Sequence, residues 1–256
     1  MDYDLLKARL NKAVELYNNT NFITKDPIQI PHRYDKLQDI EIAAFFASIL
    51  AWGRREMIIK SADKLMKVFE NSPHDYILAT TYKSFEAKLG NFVHRTIQTA
   101  DILYCFRFLK SFYSKNISLE TAFLYDAKAI DDANIEKHLN YFYKQFFSLE
   151  NPCLRTKKHI TCPANGSACK RLVMFLRWLV RTDSAGVDFG LWKSIKPSQL
   201  VLPLDVHTFR ISKKWFGIQQ QTPSWKVALQ ITEILKQLDQ QDPVKYDFAL
   251  FSLDLV

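Results

Sequence analysis

Glycine is scarce in this chain, with six in 256 residues. Sheets joined by tight hairpins need glycine wherever a turn takes a positive φ, so the scarcity speaks against a turn-rich β architecture. No useful stretch alternates apolar and polar residues with a period of two, so no half-buried strand is expected. Cysteine is scarce too. Cys105, Cys153, Cys162 and Cys169 include no C-x-x-C step, and we read them as free thiols of a reducing compartment. Cys153, His159, Cys162 and Cys169 follow no zinc-ligand spacing, so no metal and no cofactor is expected. No apolar run reaches the roughly 18 residues of a membrane span. The opening M-D-Y-D-L-L-K-A-R-L carries acids where a secretory leader carries bases. A cytoplasmic protein with no membrane partner is the expectation.

The chain does hold an apolar fraction of 48%, nineteen Phe and five Trp, enough for a sizeable aromatic core. It has 35 basic against 27 acidic residues, net +8. That balance favours a polyanionic partner, nucleic acid before membrane. Apolar residues recur at three- and four-residue steps through most of the chain, so the predicted class is all-α, with ten to twelve helices. The segment I-E-I-A-A-F-F-A-S-I-L-A-W after Asp39 is apolar on nearly all sides and should be central, with Asp39 as its cap. Further helices are predicted over 2–18, 54–70, 80–89, 91–113, 118–125, 131–147, 168–181, 206–216, 223–238 and 243–253, with a short one opening at Ser72-Pro73.

Between Asn151 and Thr182 stand seven basic residues and no acid: Arg155, Lys157, Lys158, Lys170, Arg171, Arg177 and Arg181. Lys170, Met174, Arg177 and Arg181 are spaced 4, 3 and 4 and share one helix face. The absence of local acids favours a polyanion opposite that face, and the alternative is pairing with acids elsewhere in the fold. Asp205, after Pro203 and before V-H-T-F-R-I, sits where a helix cap belongs. On position alone it is a plain cap, and Lys170 a surface lysine.

Taken together, N-G-S-A-C-K-R-L-V-M-F-L and L-P-L-D-V-H-T-F-R-I resemble the core of the helix-hairpin-helix DNA glycosylases of the endonuclease-III type. That superfamily has a lysine four residues after the first glycine of its hairpin, a step matched by Gly166 and Lys170, and a V-D-T-H-x-x-R motif, close to L-D-V-H-T-F-R at 204–210. F-F-A-S-I-L-A-W-G-R-R-E-M and D-P-V-K-Y-D-F-A-L-F are similar to its early buried helix with the following DNA-facing turn and to its last helix. The resemblance covers most of 38–70 and 163–253. The chain departs from the pattern where Ala168 replaces the second hairpin glycine, where Ala164-Asn165 replaces Leu-Pro and where Trp52 stands in place of a wedging Gln. The C-terminal four-cysteine cluster signature is missing. The spacing of Lys170 and Asp205 is wider than in endonuclease-III types and nearer the archaeal glycosylases for oxidised guanine. The overall likeness is greatest to an uncharacterised bacterial branch.

The resemblance implies two helical lobes with a cleft between them, about 38–182 in one and 1–37 with 183–256 in the other, acting as a monomer on damaged duplex DNA. It implies that Lys170 is the nucleophile and Asp205 the catalytic carboxylate. Gly166, Ser167, Arg171, Arg177 and Arg181 would face the DNA. His207 would contact phosphate or simply pack. Trp52, Arg54 and Arg55 would face the DNA, or Trp52 would close the core with the arginines solvated. Three functions follow: a base-excision glycosylase with lyase activity, a non-catalytic nucleic-acid binder on the same fold, and an enzyme of small acidic substrates.

Overall fold

A computed structural model describes residues 3–182 and 184–252. In chain order its α-helices are α1 (Tyr3–Tyr17), α2 (Thr20–Ile23), α3 (Leu37–Leu50), α4 (Arg55–Val68), α5 (Pro73–Ala79) and α6 (Tyr82–Leu89), then α7 (Thr99–Tyr113), α8 (Glu136–Phe146), α9 (Lys170–Val180), α10 (Val206–Phe216), α11 (Trp225–Leu238) and α12 (Asp247–Ser252). Two-residue strands β1 (Val93–His94) and β2 (Ile97–Gln98) pair antiparallel between α6 and α7. The protein is predominantly helical, and no described helix is long and apolar enough to cross a membrane.

Most helices start where local chemistry dictates. Asp205, Ser224 and Thr81 cap α10, α11 and α6 with side-chain oxygens that accept an orphan backbone N–H. Four expectations need correction. Asp39 does not cap α3, which begins two residues earlier; its carboxylate accepts the His74 N–H at 2.8 Å. The helix expected from 91 starts at Thr99, because the hairpin intervenes, with Arg95 left-handed at φ 55°. Two-residue strands are too short to leave an alternating pattern. Residues 119–123 form a 3-10 turn in place of a helix. The helix expected from Asp131 begins at Glu136, whose N–H is held by the Asn134 side chain at 2.9 Å. The last helix was expected to reach Leu253, which lies outside the described residues.

The described residues gather into two compact units. One comprises residues 3–24, 126–140 and 162–252; the other comprises 25–125 and 141–161. Residues 162–182, expected with 38–161, thus join the terminal segments. The second unit is built around α3, buried from Asp39 to Leu50. Phe45 meets Phe46, Phe142 and Phe146, and Phe85 stacks between Phe69 and Phe106 at 5.3 and 4.2 Å. Within this apolar helix Glu41 is fully buried, yet it accepts from Tyr113 Oη (2.9 Å), Ser118 Oγ (2.5 Å) and Leu119 N (3.0 Å), so its charge is solvated by the protein. Burial, then the charge of Glu41, pushes the Tyr113 phenol well above its ordinary value.

In the first unit α9 buries Leu172, Val173, Phe175, Leu176, Trp178 and Leu179. The incoming chain takes up its last carbonyls, Phe189 N–H donating to Trp178 O at 2.7 Å and Trp192 N–H to Leu179 O at 2.9 Å. These bonds satisfy acceptors that any helix end leaves orphaned.

Candidate active site

The site lies in the first unit, where two helices begin. The turn before α9 runs Pro163–Asn165 as one 3-10 step and then reverses at Gly166, φ 75°, a left-handed conformation that favours glycine. A Cβ there would meet nothing within 4 Å, so conformation and not crowding selects the glycine. Gly166 O accepts the Trp225 N–H at 3.2 Å, tying the turn to the start of α11. Cys169 is also left-handed at φ 50°, its N–H held by Ser167 Oγ at 3.1 Å. Ala164, Asn165 and Gly166 are exposed. This turn delivers Lys170 as the first residue of α9, the end of a helix whose dipole favours anions.

Asp205 is the N-cap of α10, with Oδ1 accepting the Thr208 N–H at 2.8 Å. Its other oxygen, Oδ2, lies 4.0 Å from Lys170 Nζ. The two side chains are 28% and 32% exposed, so the pair is half sheltered and reachable from solvent. An amine and a carboxylate 35 residues apart in sequence therefore meet, each fixed by the first turn of its own helix. Neighbouring Val206 is 75% exposed.

A third carboxylate belongs to this neighbourhood. Burial raises Asp247, at the start of α12, to about 6; Arg177 opposes the shift, Asp205 adds to it and Lys170 opposes it. Asp247 is thus in electrostatic range of both site residues. The sequence reading missed it. The signal was its place in D-P-V-K-Y-D-F-A-L-F, a segment noted only as a helix.

The basic stripe of α9 is corrected. Arg177 and Arg181 are buried, at 4% and 2% exposure, and face no solvent. Arg177 binds Asp247 through Nη1 and Asp188 through Nη2, the latter at 3.3 Å. Arg181 binds Asp188 at 3.0 Å and Asp242 at 2.8 Å. Phe248 lies under both guanidiniums, 4.6 and 5.5 Å from its ring centre. Burial raises Asp242, and Arg181 opposes the rise. Two cations closed in by three carboxylates form a structural network that holds α9 against the 188, 242 and 247 positions. Neither arginine is available to DNA. Arg155 is likewise held, in the second unit, by Asp101.

The remaining sequence candidates divide. Ser167 is half-buried and serves the turn. Arg171 is half-buried; burial lowers it to about 10, which leaves it charged at neutral pH. His207 is half-buried on α10, with Nδ1 3.4 Å from Arg210 Nη2. In the second unit Trp52 is 43% exposed, Arg54 exposed and Arg55 half-buried, in the turn from α3 to α4. Trp52 does not close the core. Among the described residues no group of three or more His, Cys, Asp or Glu is placed to hold a metal, and His159 faces Asp101 at 3.5 Å.

Neither the curated proteins nor the solved structures include a match to this chain. A family model does match, over residues 26–256, nearly the whole of the chain and both residues of the Lys170–Asp205 pair. The chain belongs to the family described as protein of unknown function, DUF2400.

Proposed function

We propose that this protein is a DNA base-excision glycosylase with abasic-site lyase activity, on a fold of the helix-hairpin-helix glycosylase kind. The observation that carries the reading is the approach of Lys170 Nζ to Asp205 Oδ2 at 4.0 Å, across two helix starts and open to solvent. A nucleophile with a proton acceptor beside it, the acceptor oriented by a third group, is the arrangement covalent catalysis needs. Here the orienting group is the Thr208 N–H.

In this reading a flipped nucleotide presents its sugar to the pair. The Lys170 amine, as its free base, attacks C1′ as the C1′–N bond breaks, and the base leaves with the bonding electrons and takes a proton from solvent. Asp205 stabilises the cationic sugar at the transition state and accepts the proton shed by the new ammonium. Ring opening gives an imine on Nζ, from which elimination cleaves the strand. The second reading, a non-catalytic nucleic-acid binder, is favoured by the exposed Trp52 turn, which asks for no chemistry at the pair.

Borohydride trapping separates them, since it reduces an imine to a permanent link. Duplexes carrying an abasic site or oxidised guanine should give a covalent complex with the wild type. Lys170→Ala should give none, and Asp205→Asn should slow base release by one or more orders of magnitude. A wild type that traps on neither substrate, or a Lys170→Ala variant that traps equally well, refutes the catalytic reading.

A further inference from the structure

The second unit carries a cationic surface that the sequence did not single out. On α4, Lys60, Lys64 and Lys67 follow at steps of 4 and 3, share one face and are all exposed. They line an open groove of about 660 Å³ together with Met57, Ser61 and, from α6, Lys88. Of the acids nearby, Asp63 in the groove wall is engaged by Arg33 and Glu70 by Lys88, while Glu56 stands exposed one turn before Lys60. Among the described residues Lys60, Lys64 and Lys67 make no ion pair. Like charges stacked on one helix face cost stability. Other cations of this unit are paired, as Lys36 with Asp75 and Arg155 with Asp101.

The groove is joined to the Trp52 turn by a short chain of contacts. Ser61 Oγ, in the groove wall, is 2.8 Å from His94 Nδ1, and His94 Nε2 is 3.2 Å from Trp52 O. His94 is buried, so it fixes turn and groove as one surface. The next residue, Arg95, lays its guanidinium 4.3 Å from the Trp52 ring centre and crosses Gly53, where an added Cβ would come within 3.0 Å of it. Gly53 has φ 112°, a conformation that favours glycine, and an added Cβ would press the Arg95 side chain aside. Trp52 is thereby propped outward, 43% exposed, with a cation beside it.

We propose that this surface binds an unpaired segment of a nucleic-acid strand, with a base stacked on Trp52 beside Arg95 and the following phosphates running along Lys60, Lys64 and Lys67. An aromatic platform followed by a cationic groove is what non-specific strand binding requires. From Lys60 to Lys67 the helix rises about 10 Å, the span of roughly two or three phosphates. Met57, 46% exposed, gives the groove floor an apolar patch for sugar and base edges. The assignment rests on nucleic acid being the partner, and it is independent of any chemistry at Lys170.

The test is fluorescence anisotropy with a short labelled oligothymidylate, read across a salt series. The wild type should bind, and a matched duplex of equal length should compete more weakly. The triple variant Lys60→Gln, Lys64→Gln, Lys67→Gln should weaken binding at least tenfold at low salt and flatten the log–log salt slope by roughly 2, three charges at about 0.7 each. Trp52→Ala should cost about tenfold with the slope unchanged, since stacking releases no counterion. These side chains are exposed, so circular dichroism should match the wild type. Unaltered affinity and slope in the triple variant would overturn the assignment, as would a duplex that binds equally well and without need of Trp52. Trapping by the wild type alongside unaltered binding by the triple variant would sink this proposal alone. Strand binding without trapping would sink only the catalytic one.

Discussion

Two helices present cations at nearly the same spacing, and the fold treats them oppositely. On α9, Arg177 and Arg181 are buried among Asp188, Asp242 and Asp247. On α4, Lys60, Lys64 and Lys67 lie open, with no carboxylate bound. Residue type explains part of the contrast. Arginine's planar fork meets two carboxylates at once and sheds water readily, whereas lysine's compact ammonium holds its hydration shell. The rest is topology, because the acids that neutralise α9 arrive from 7 to 70 residues away. A cationic stripe becomes a binding surface only when no distant part of the chain returns to cover it.

The largest test of that contrast removes one side of the buried network. Arg177→Met should destabilise the protein by about 3–5 kcal/mol, because Asp247 is left buried without its cation and Asp188 keeps only Arg181. Urea unfolding would measure it, and Lys64→Gln on α4 should differ from it by that whole amount. A loss below about 1 kcal/mol would mean that the α9 network is not the closed unit its geometry indicates.

A second test uses pH. The folded protein holds the proton of Asp247 up to about 6, against 3.8 for the free side chain. A raised carboxyl favours folding fully below the unfolded value and loses that contribution as pH rises through the folded one. Asp247→Asn cannot titrate. The stability difference, wild type minus variant, should therefore fall between pH 4 and pH 6, by about 3 kcal/mol for a shift of roughly two units. It should stay level above pH 6, and a flat difference across the whole range would exclude the assignment.

The smallest effect lies on α4. Lys64→Gln relieves repulsion from Lys60 and Lys67 and should raise stability by a few tenths of a kcal/mol at low salt. The gain should vanish near 1 M salt, where the screening length is about 3 Å. A loss of stability at low salt would show that Lys64 supports the fold, through its place 5.7 Å over the Phe92 ring, more than it strains it.

What the sequence made legible follows from how local each cause is. Asp205 as a cap and α3 as a buried helix depend on a few neighbouring residues, and both are found. The β1–β2 hairpin was not legible, since two residues carry no period. The fate of Arg177 and Arg181 was misjudged because acids were counted only within the local window, while the partners came from 188, 242 and 247. Asp247 escaped for the same reason. The α4 groove escaped because a lysine every third or fourth position reads as an ordinary solvated face. Only the absence of partners in three dimensions distinguishes it.

The first unit is assembled from three separate stretches of chain, with Phe22 edge-on to Phe248 at 5.2 Å and α1 burying Leu6, Leu10 and Ala13. During synthesis α1 leaves the ribosome long before α12 exists to cover it, while every stretch of the second unit is complete once residue 161 has emerged. Folding in order of synthesis then finishes the second unit first and leaves α1 waiting with its apolar side bare. Contacts so distant in sequence form slowly. Lys170 and Asp205 come together in that late-closing half, so a nascent chain acquires its aromatic core before its candidate chemistry.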